Sequence, residues 1–418
     1  MLIFSLPVFA DDTNTNQKNW HEKLIFKDQL FSSEFIRVLG STTTQGADIG
    51  EVISTAKKIN EGDFYSWYNE WKTIGDQTGY NAEQWERAGN KVSAREAYIR
   101  ASCYYRTAGV FMNSPDDRDK SVKIAIQSKI CFQRAIKYLP YIKPVRIPYK
   151  KTMLPGYYIL SGNKAEKSPL VIINAGHNET AEEMCIQFAG TARTRGYNCL
   201  VFEGPGQGSV MKEQNICLRP DWENVITPVI DWAFKRPDVI KNKIALIGIG
   251  FGGYLAPRAV SKEHRIKACI ANSGIYDMSV SFSSPKLAIV TKQFHLLDEL
   301  IYREAENNIS AKWGLYHSFW VFGVSTPSDY ISELHHYTLK DCASKIKCSM
   351  LIIDNSIDNS SDPFMNGQAK QLYDALKCPK EFYMFTSENA AQSYCQMGAT
   401  SFSNAIMFNW LDKVMKNN

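Results

Sequence analysis

The sequence predicts an α/β fold preceded by a helical half, and three observations carry that reading. Before about residue 140 the apolar residues recur at helical spacing, whereas after residue 155 short unbroken apolar runs alternate with helix-like stretches. A glycine-rich turn, Gly248 to Gly253, follows one of those runs directly. The 418 residues are 44% hydrophobic and 22% charged, an ordinary globular composition in a chain long enough for more than one core.

At the N-terminus Leu2 to Phe9 is apolar, and Val8-Phe9-Ala10 precedes Asp11-Asp12. Such residues before a polar stretch resemble a signal-peptidase site, although a basic start is missing. Residues 1–10 are therefore read as a signal-peptide remnant, which implies a periplasmic or secreted protein. A frayed apolar tail on a cytoplasmic protein is the plainer alternative.

Residues 11–145 read as a helical domain. Asp63 can cap a helix in which Phe64, Trp67, Tyr68 and Trp71 stand at i, i+3, i+4 and i+7. Ala94, Ala97, Tyr98, Ala101, Tyr105 and Ala108 repeat that face, and Pro115 opens a further helix through about Leu139. These aromatic stripes are read as core rather than as a cofactor box. Four prolines between Pro140 and Pro155 mark the boundary.

Residues 146–418 read as the α/β part. Expected strands are Tyr157–Leu160, Leu170–Asn174, Asn198–Phe202, Ile244–Ile247, Ala268–Ala271, Met350–Ile353 and Phe382–Phe385. Their continuous apolar character suits strands covered on both faces of a parallel sheet. Residues of about 280–340 break the rhythm with Trp313, Tyr316, His317, Phe319, Trp320 and Phe322. An insertion there is expected over the carboxyl ends of the strands, where such sheets place their ligand sites.

Charge and composition exclude several classes. A net charge of +5 without a Lys/Arg block gives no footprint for nucleic acid. No run reaches the roughly 18 apolar residues of a membrane span. The ten cysteines include no Cys-x-x-Cys pair, so zinc-ribbon and thioredoxin spacings are absent. His335-His336 lacks metal-ligand spacing on one helix face and reads as surface. No cofactor or metal is expected.

The most informative stretch runs from Ile244 through Gly248-Ile-Gly250-Phe-Gly252 to Tyr254. An apolar run, a sharp glycine turn and then a helix form the setting of a nucleophile elbow, Gly-x-Ser-x-Gly. Gly248 and Gly252 fit the flanking glycines, but the central position is Gly250. Gly248-x-Gly250-x-x-Gly253 also matches a dinucleotide fingerprint. That motif belongs in a first βα unit with an acidic residue about twenty positions on, and neither condition holds here.

Further matches accumulate along the chain: Ser93-Ala-Arg-Glu-Ala-Tyr-Ile-Arg100, Ile147-Pro-Tyr, Leu154-Pro-Gly-Tyr, Gly204-Pro-Gly-Gln-Gly208, Asp221-Trp-Glu, Gly252-Gly-Tyr-Leu-Ala-Pro-Arg258, Gly367-Gln-Ala-Lys-Gln-Leu-Tyr373 and Cys395-Gln. Over about residues 63 to 415 the chain resembles the α/β-hydrolases grouped with dihydroxypseudooxynicotine hydrolases, fermentation-respiration-switch proteins and fungal polyketide-shortening hydrolases. The resemblance implies an α/β-hydrolase fold with a helical cap domain, a Ser-Asp-His triad, and hydrolysis of C–C bonds in β-diketone-like substrates or of esters and related acyl bonds.

The triad is incomplete on that pattern. The nucleophile position falls on Gly250, the acid on Asp358 (with Asp354 and Asp362 as weaker substitutes), and the histidine on Tyr394. All seven histidines precede residue 337, so none follows Asp358. Glycine cannot form an acyl-enzyme, and a phenol keeps its proton at neutral pH, so Tyr394 is no imidazole-like base. Asn174-Ala-Gly-His177-Asn-Glu-Thr falls on the family's oxyanion loop. Backbone N–H groups of about His177 and Phe251 are candidate oxyanion or carbonyl donors. The His177 ring is left open among a rewired base, a ligand contact and a loop residue without chemistry.

Three readings follow. The first is a protein that has lost the triad and binds a small carbonyl- or acyl-bearing molecule or a protein partner. The second is an active hydrolase with rearranged groups, such as Asp358 activating water. The third is an interaction protein with a filled pocket. The oligomeric state is left open, a homodimer included.

Overall fold

The computed structural model describes residues 24–162, 167–282, 294–356 and 365–416. The expected leader, residues 1–10, lies outside them, as do Asp358 and Asp362.

The helical half consists of α1 (Gln29–Gly40), α2 (Ile49–Ala56), α3 (Phe64–Arg87), α4 (Lys91–Gly109) and α5 (Arg118–Ile136). Asp63 caps α3, its Oδ1 accepting from the backbone N–H groups of Tyr65 and Ser66 at 2.8 and 3.1 Å. The α3 stripe is core: Trp67 and Trp71 are fully buried and pack with Phe31, Phe111 and Tyr104. Trp67 is satisfied as well as buried, donating from Nε1 to Thr107 O at 2.8 Å.

The sheet is built from β1 (Ile142–Tyr149), β2 (Thr152–Ile159), β3 (Ser168–Asn174), β4 (Asn198–Phe202), β5 (Val239–Ile249), β6 (Ala268–Asn272), β7 (Ser349–Asn355) and β8 (Lys380–Phe385). Among the described residues these eight strands lie in the order β1-β2-β4-β3-β5-β6-β7-β8. The first three of that order pair antiparallel and the remainder parallel. Every residue of β4 and β6 is buried, which is why their sequences read as continuous apolar runs.

The proline-rich stretch at 140–155 is structured rather than a plain linker: it forms the β1–β2 hairpin. Strand β1 is the sheet edge, where Pro144 and Pro148 omit ladder donors at little cost.

The helices α6 (Ala181–Thr194), α7 (Gly208–Lys212), α8 (Glu223–Phe234) and α9 (Gly252–Val260) alternate with the strands, and between β6 and β7 the described residues form α10 (Phe294–Asn307), α11 (Ile309–Phe322) and α12 (Pro327–Leu334). Aromatics of this insertion sit on the Gly248–Gly253 turn: Phe322 of α11, and Tyr337 just after α12, pack against Phe251. Trp313 donates from Nε1 to Val110 O at 2.9 Å, tying α11 to the helical half. No helix among the described residues is long and apolar enough to cross a membrane.

Candidate functional site

The glycine turn is an elbow between β5 and α9 (Gly252–Val260). Its flanking glycines are required by close approach: a Cβ on Gly248 would stand 2.0 Å from Gly252 O, and one on Gly252 would stand 2.2 Å from Asn174 O. Gly250 holds φ +62°, a left-handed conformation that side chains rarely adopt. Its N–H donates to Asn272 O at 2.7 Å.

Asn272 also anchors the loop that carries Tyr394. Its Nδ2 donates to Gln396 Oε1 at 2.8 Å, and Gln396 is fully buried. The last residue of β6 therefore holds both the elbow and the Tyr394–Gln396 turn. The Tyr394 hydroxyl consequently stands 2.9 Å from where a Cβ on Gly250 would be.

A third group reaches the same point. The Glu179 carboxyl, on the loop between β3 and α6 (Ala181–Thr194), places Oε1 3.5 Å from the Gly250 Cβ position. Its Oε2 lies 2.8 Å from the Cβ position of Gly176, where Phe251 N lies at 2.9 Å. The corner expected to offer oxyanion donors is thus lined by a carboxyl too.

These groups face a cavity of about 160 Å3. Helix α1, the loop of residues 176–179, α11 and the Tyr394 turn form its walls. Most of the surface it exposes is apolar, as in small-molecule sites generally, but polar and charged side chains interrupt it in two sets.

One set of polar groups is an ionic cluster. Arg37 meets Glu183 at 2.6 Å and Glu34 at 3.2 Å. Arg106 meets Glu34 at 2.7 Å and Glu183 at 3.2 Å. Both guanidiniums donate to Asn178 O, at 3.4 and 3.0 Å. Burial pushes the Glu34 carboxyl up, but Arg106 and Arg37 outweigh it and hold the group below 4.5. Glu179 is treated differently. Burial raises it above 4.5 and is only partly offset by Arg37, which stands 3.7 Å away and is already engaged. Among the described residues Glu179 Oε2 has no hydrogen-bond partner.

The other polar set is a histidine pair. His177 Nδ1 and His317 Nε2 lie 2.8 Å apart, so one ring donates and the other accepts. The His317 ring is stacked on Trp313 at 5.2 Å and is 4% exposed. Burial holds His177 down to about 4 and His317 well below 6.5. His317 Nδ1 has no partner among the described residues.

No protein-family model matches the chain. It is 31% identical over 410 residues to the hydrolase LUC6 of a Fusarium species, covering 93% of this chain and 97% of that protein. It is 30% identical over 426 residues to the α/β hydrolase psoB of Aspergillus fumigatus, covering 93% and 94%. The chain is an α/β hydrolase. The crystal structure of 2,6-dihydroxy-pseudo-oxynicotine hydrolase superposes with a TM-score of 0.69 at 17% identity, covering 90% of this chain and 95% of that one. That likeness shows a shared fold.

In this α/β hydrolase the structure brings together Gly250, Phe251, Tyr394 and His177. Asp358 lies outside the described residues. Asp354 is buried at the end of β7, its Oδ1 accepting from Asn355 N at 2.9 Å. His335 and His336 are exposed. Among the described residues no group of three or more His, Cys, Asp or Glu is placed to hold a metal ion, and no two of the ten cysteines form a disulfide. Sequence reasoning missed Glu179 and the His177–His317 hydrogen bond. Glu179 lies within the recognised Asn174–Thr180 stretch, where an acidic residue beside expected oxyanion donors is the one signal that could have found it. The cluster of Arg37 and Arg106 with Glu34 and Glu183 joins residues far apart in the chain and leaves no local sign.

Proposed function

We propose that this α/β hydrolase binds a small, uncharged carbonyl-bearing molecule in the cavity between its helical half and its sheet, without the acyl-enzyme route. One observation carries the reading. The nucleophile position has no side chain, and the Tyr394 hydroxyl takes up the space beside it, 2.9 Å from the missing Cβ. Glu179 adds a second argument, since a carboxyl beside Phe251 N opposes a developing oxyanion there. The cavity is open beside the elbow rather than filled by the aromatics of α11, which favours a ligand over a pure interaction role.

The test has two arms. A fluorophosphonate probe followed by intact mass should give no adduct; stoichiometric labelling of a serine overturns the loss of covalent chemistry. Acetophenone should quench tryptophan fluorescence saturably, with the quench lost on Trp313→Phe and weakened by Ser33→Phe, which narrows the wall at α1. Quenching that does not saturate, or that ignores both changes, removes the cavity as the binding site.

A further inference from the structure

We propose that Glu179 is a general base: it removes a proton from the carbon next to the carbonyl group of a neutral ligand held in the cavity. The inference rests on the cavity reading above and gives the site a chemistry of its own.

Four observations support it. The carboxyl faces the cavity at the vacated nucleophile position, 3.5 Å from the Gly250 Cβ point. The two buried arginines are committed elsewhere, Arg37 to Glu183, Glu34 and Asn178 O, and Arg106 to Glu34, Glu183 and Asn178 O. The cluster thus sets three carboxyls, Glu34, Glu179 and Glu183, against two guanidiniums, and Glu179 has the weakest share, one 3.7 Å contact from Arg37. Its Oε2 has no hydrogen-bond partner among the described residues although the atom is buried. A purely structural carboxylate is normally satisfied at that depth; one buried with an oxygen unbonded and only a distant guanidinium is a stronger base for want of solvation.

The step balances without a co-reactant. Glu179 takes the proton on Oε1, the oxygen at the Gly250 point, the C–H electron pair becomes the C=C bond of an enolate, and the carbonyl π pair moves to oxygen. Once it holds the proton Glu179 is neutral and no longer opposes negative charge at this corner, where the Phe251 N–H and the Tyr394 hydroxyl are the donors for that oxygen. Return of the proton to the same or a neighbouring carbon gives racemisation or isomerisation. The groups that face Glu179 and set its proton affinity are Arg37, Arg106, Glu183 and Glu34, with Tyr394 across the Gly250 point. Burial raises it above the ordinary 4.5, closer to the working pH, where a general base is most effective.

A carbon-acid probe tests this directly. With 5-nitrobenzisoxazole, a base takes the ring C–H proton, the freed pair completes a C≡N bond, the N–O bond breaks, and a coloured cyanonitrophenolate leaves. The wild type should turn the probe over in a saturable manner, and Glu179→Gln should lower kcat by about 100-fold or more. Glu179→Asp, which keeps a retracted carboxyl, should retain an intermediate rate. The rate should rise with pH through a midpoint above 4.5. Urea midpoints of all three proteins show that they are folded. Equal kcat in wild type and Glu179→Gln, or a midpoint at or below 4.5, overturns the proposal. Displacement of acetophenone by the probe without turnover sinks the base and leaves the cavity reading standing. Failure to displace acetophenone removes both.

Discussion

His317 on α11 and His177 after β3 share one hydrogen bond, 2.8 Å long, that joins the insertion to the sheet. Both rings are kept neutral by burial, His177 down to about 4. The unfolded chain protonates them near 6.5, so between about pH 6.5 and pH 4 it binds more protons than the folded one. Stability from the pair is complete above that window and falls as pH drops through it, by no more than about 3 kcal/mol for His177. Glu179 and Glu182, whose carboxyls are raised by burial, have the opposite slope above 4.5. The readout is therefore a difference. Urea midpoints at about pH 7.5 and about pH 5 should diverge less in His317→Phe than in wild type. Equal divergence would show that the pair is not what titrates.

Tyr394 and Gly250 compete for one volume, which sharpens the expectation for refilling the elbow. A serine at 250 meets both a left-handed backbone and the hydroxyl 2.9 Å from its Cβ. Gly250→Ser should cost about 1–3 kcal/mol. In a Tyr394→Phe background the loss should shrink by about 0.5–1 kcal/mol, a coupling expected of residues in contact. Additive urea midpoints in this cycle would mean that the tyrosine simply swings aside. The Gly250→Ser/Tyr394→His double variant, assayed for ester hydrolysis beside the single changes and the wild type, asks whether the pocket still supports acyl transfer.

The strands and the elbow were legible because their signals are local. Continuous apolar runs such as Cys199–Val201, the glycines at 248 and 252, and the Asp63 cap each act within a few residues. The edge strand β1 was not, because its prolines read as a break until its place at the sheet edge is known. The site was half legible. Motif order located Gly250 and Tyr394, whose neighbourhood is fixed by the fold. Glu179 and His317 are set apart only by burial and by neighbours on other elements, and neither is written in spacing.

Arg106 and Glu34 connect α4 to α1, and Glu183 extends the connection to α6. Both members of the central pair are less than a tenth exposed. Arg106→Met should therefore lower stability by about 3–5 kcal/mol, because it leaves Glu34 charged without its nearest partner. The folded carboxyl of Glu34 lies below 4.5, so its stabilisation is present above that pH and lost as pH falls through the folded value. Adding Glu34→Leu to Arg106→Met should restore part of the loss by removing the stranded charge. A double variant no more stable than Arg106→Met in urea would place the cost in packing instead.

Gly176 decides how closely Glu179 can approach the elbow. A Cβ there would stand 2.8 Å from Glu179 Oε2 and 2.9 Å from Phe251 N. The backbone nitrogen is fixed at the start of α9, whereas the carboxyl ends a flexible side chain, so the carboxyl is what yields. Gly176→Ala should cost about 1–3 kcal/mol by overpacking. It should also push the carboxyl away from the corner, toward Arg37, which now lies 3.7 Å off. A closer guanidinium favours the charged form. The midpoint of the pH–rate profile for proton abstraction should then move down toward 4.5, with a lower kcat. An unchanged midpoint together with the stability loss would show that the backbone, not Glu179, gives way.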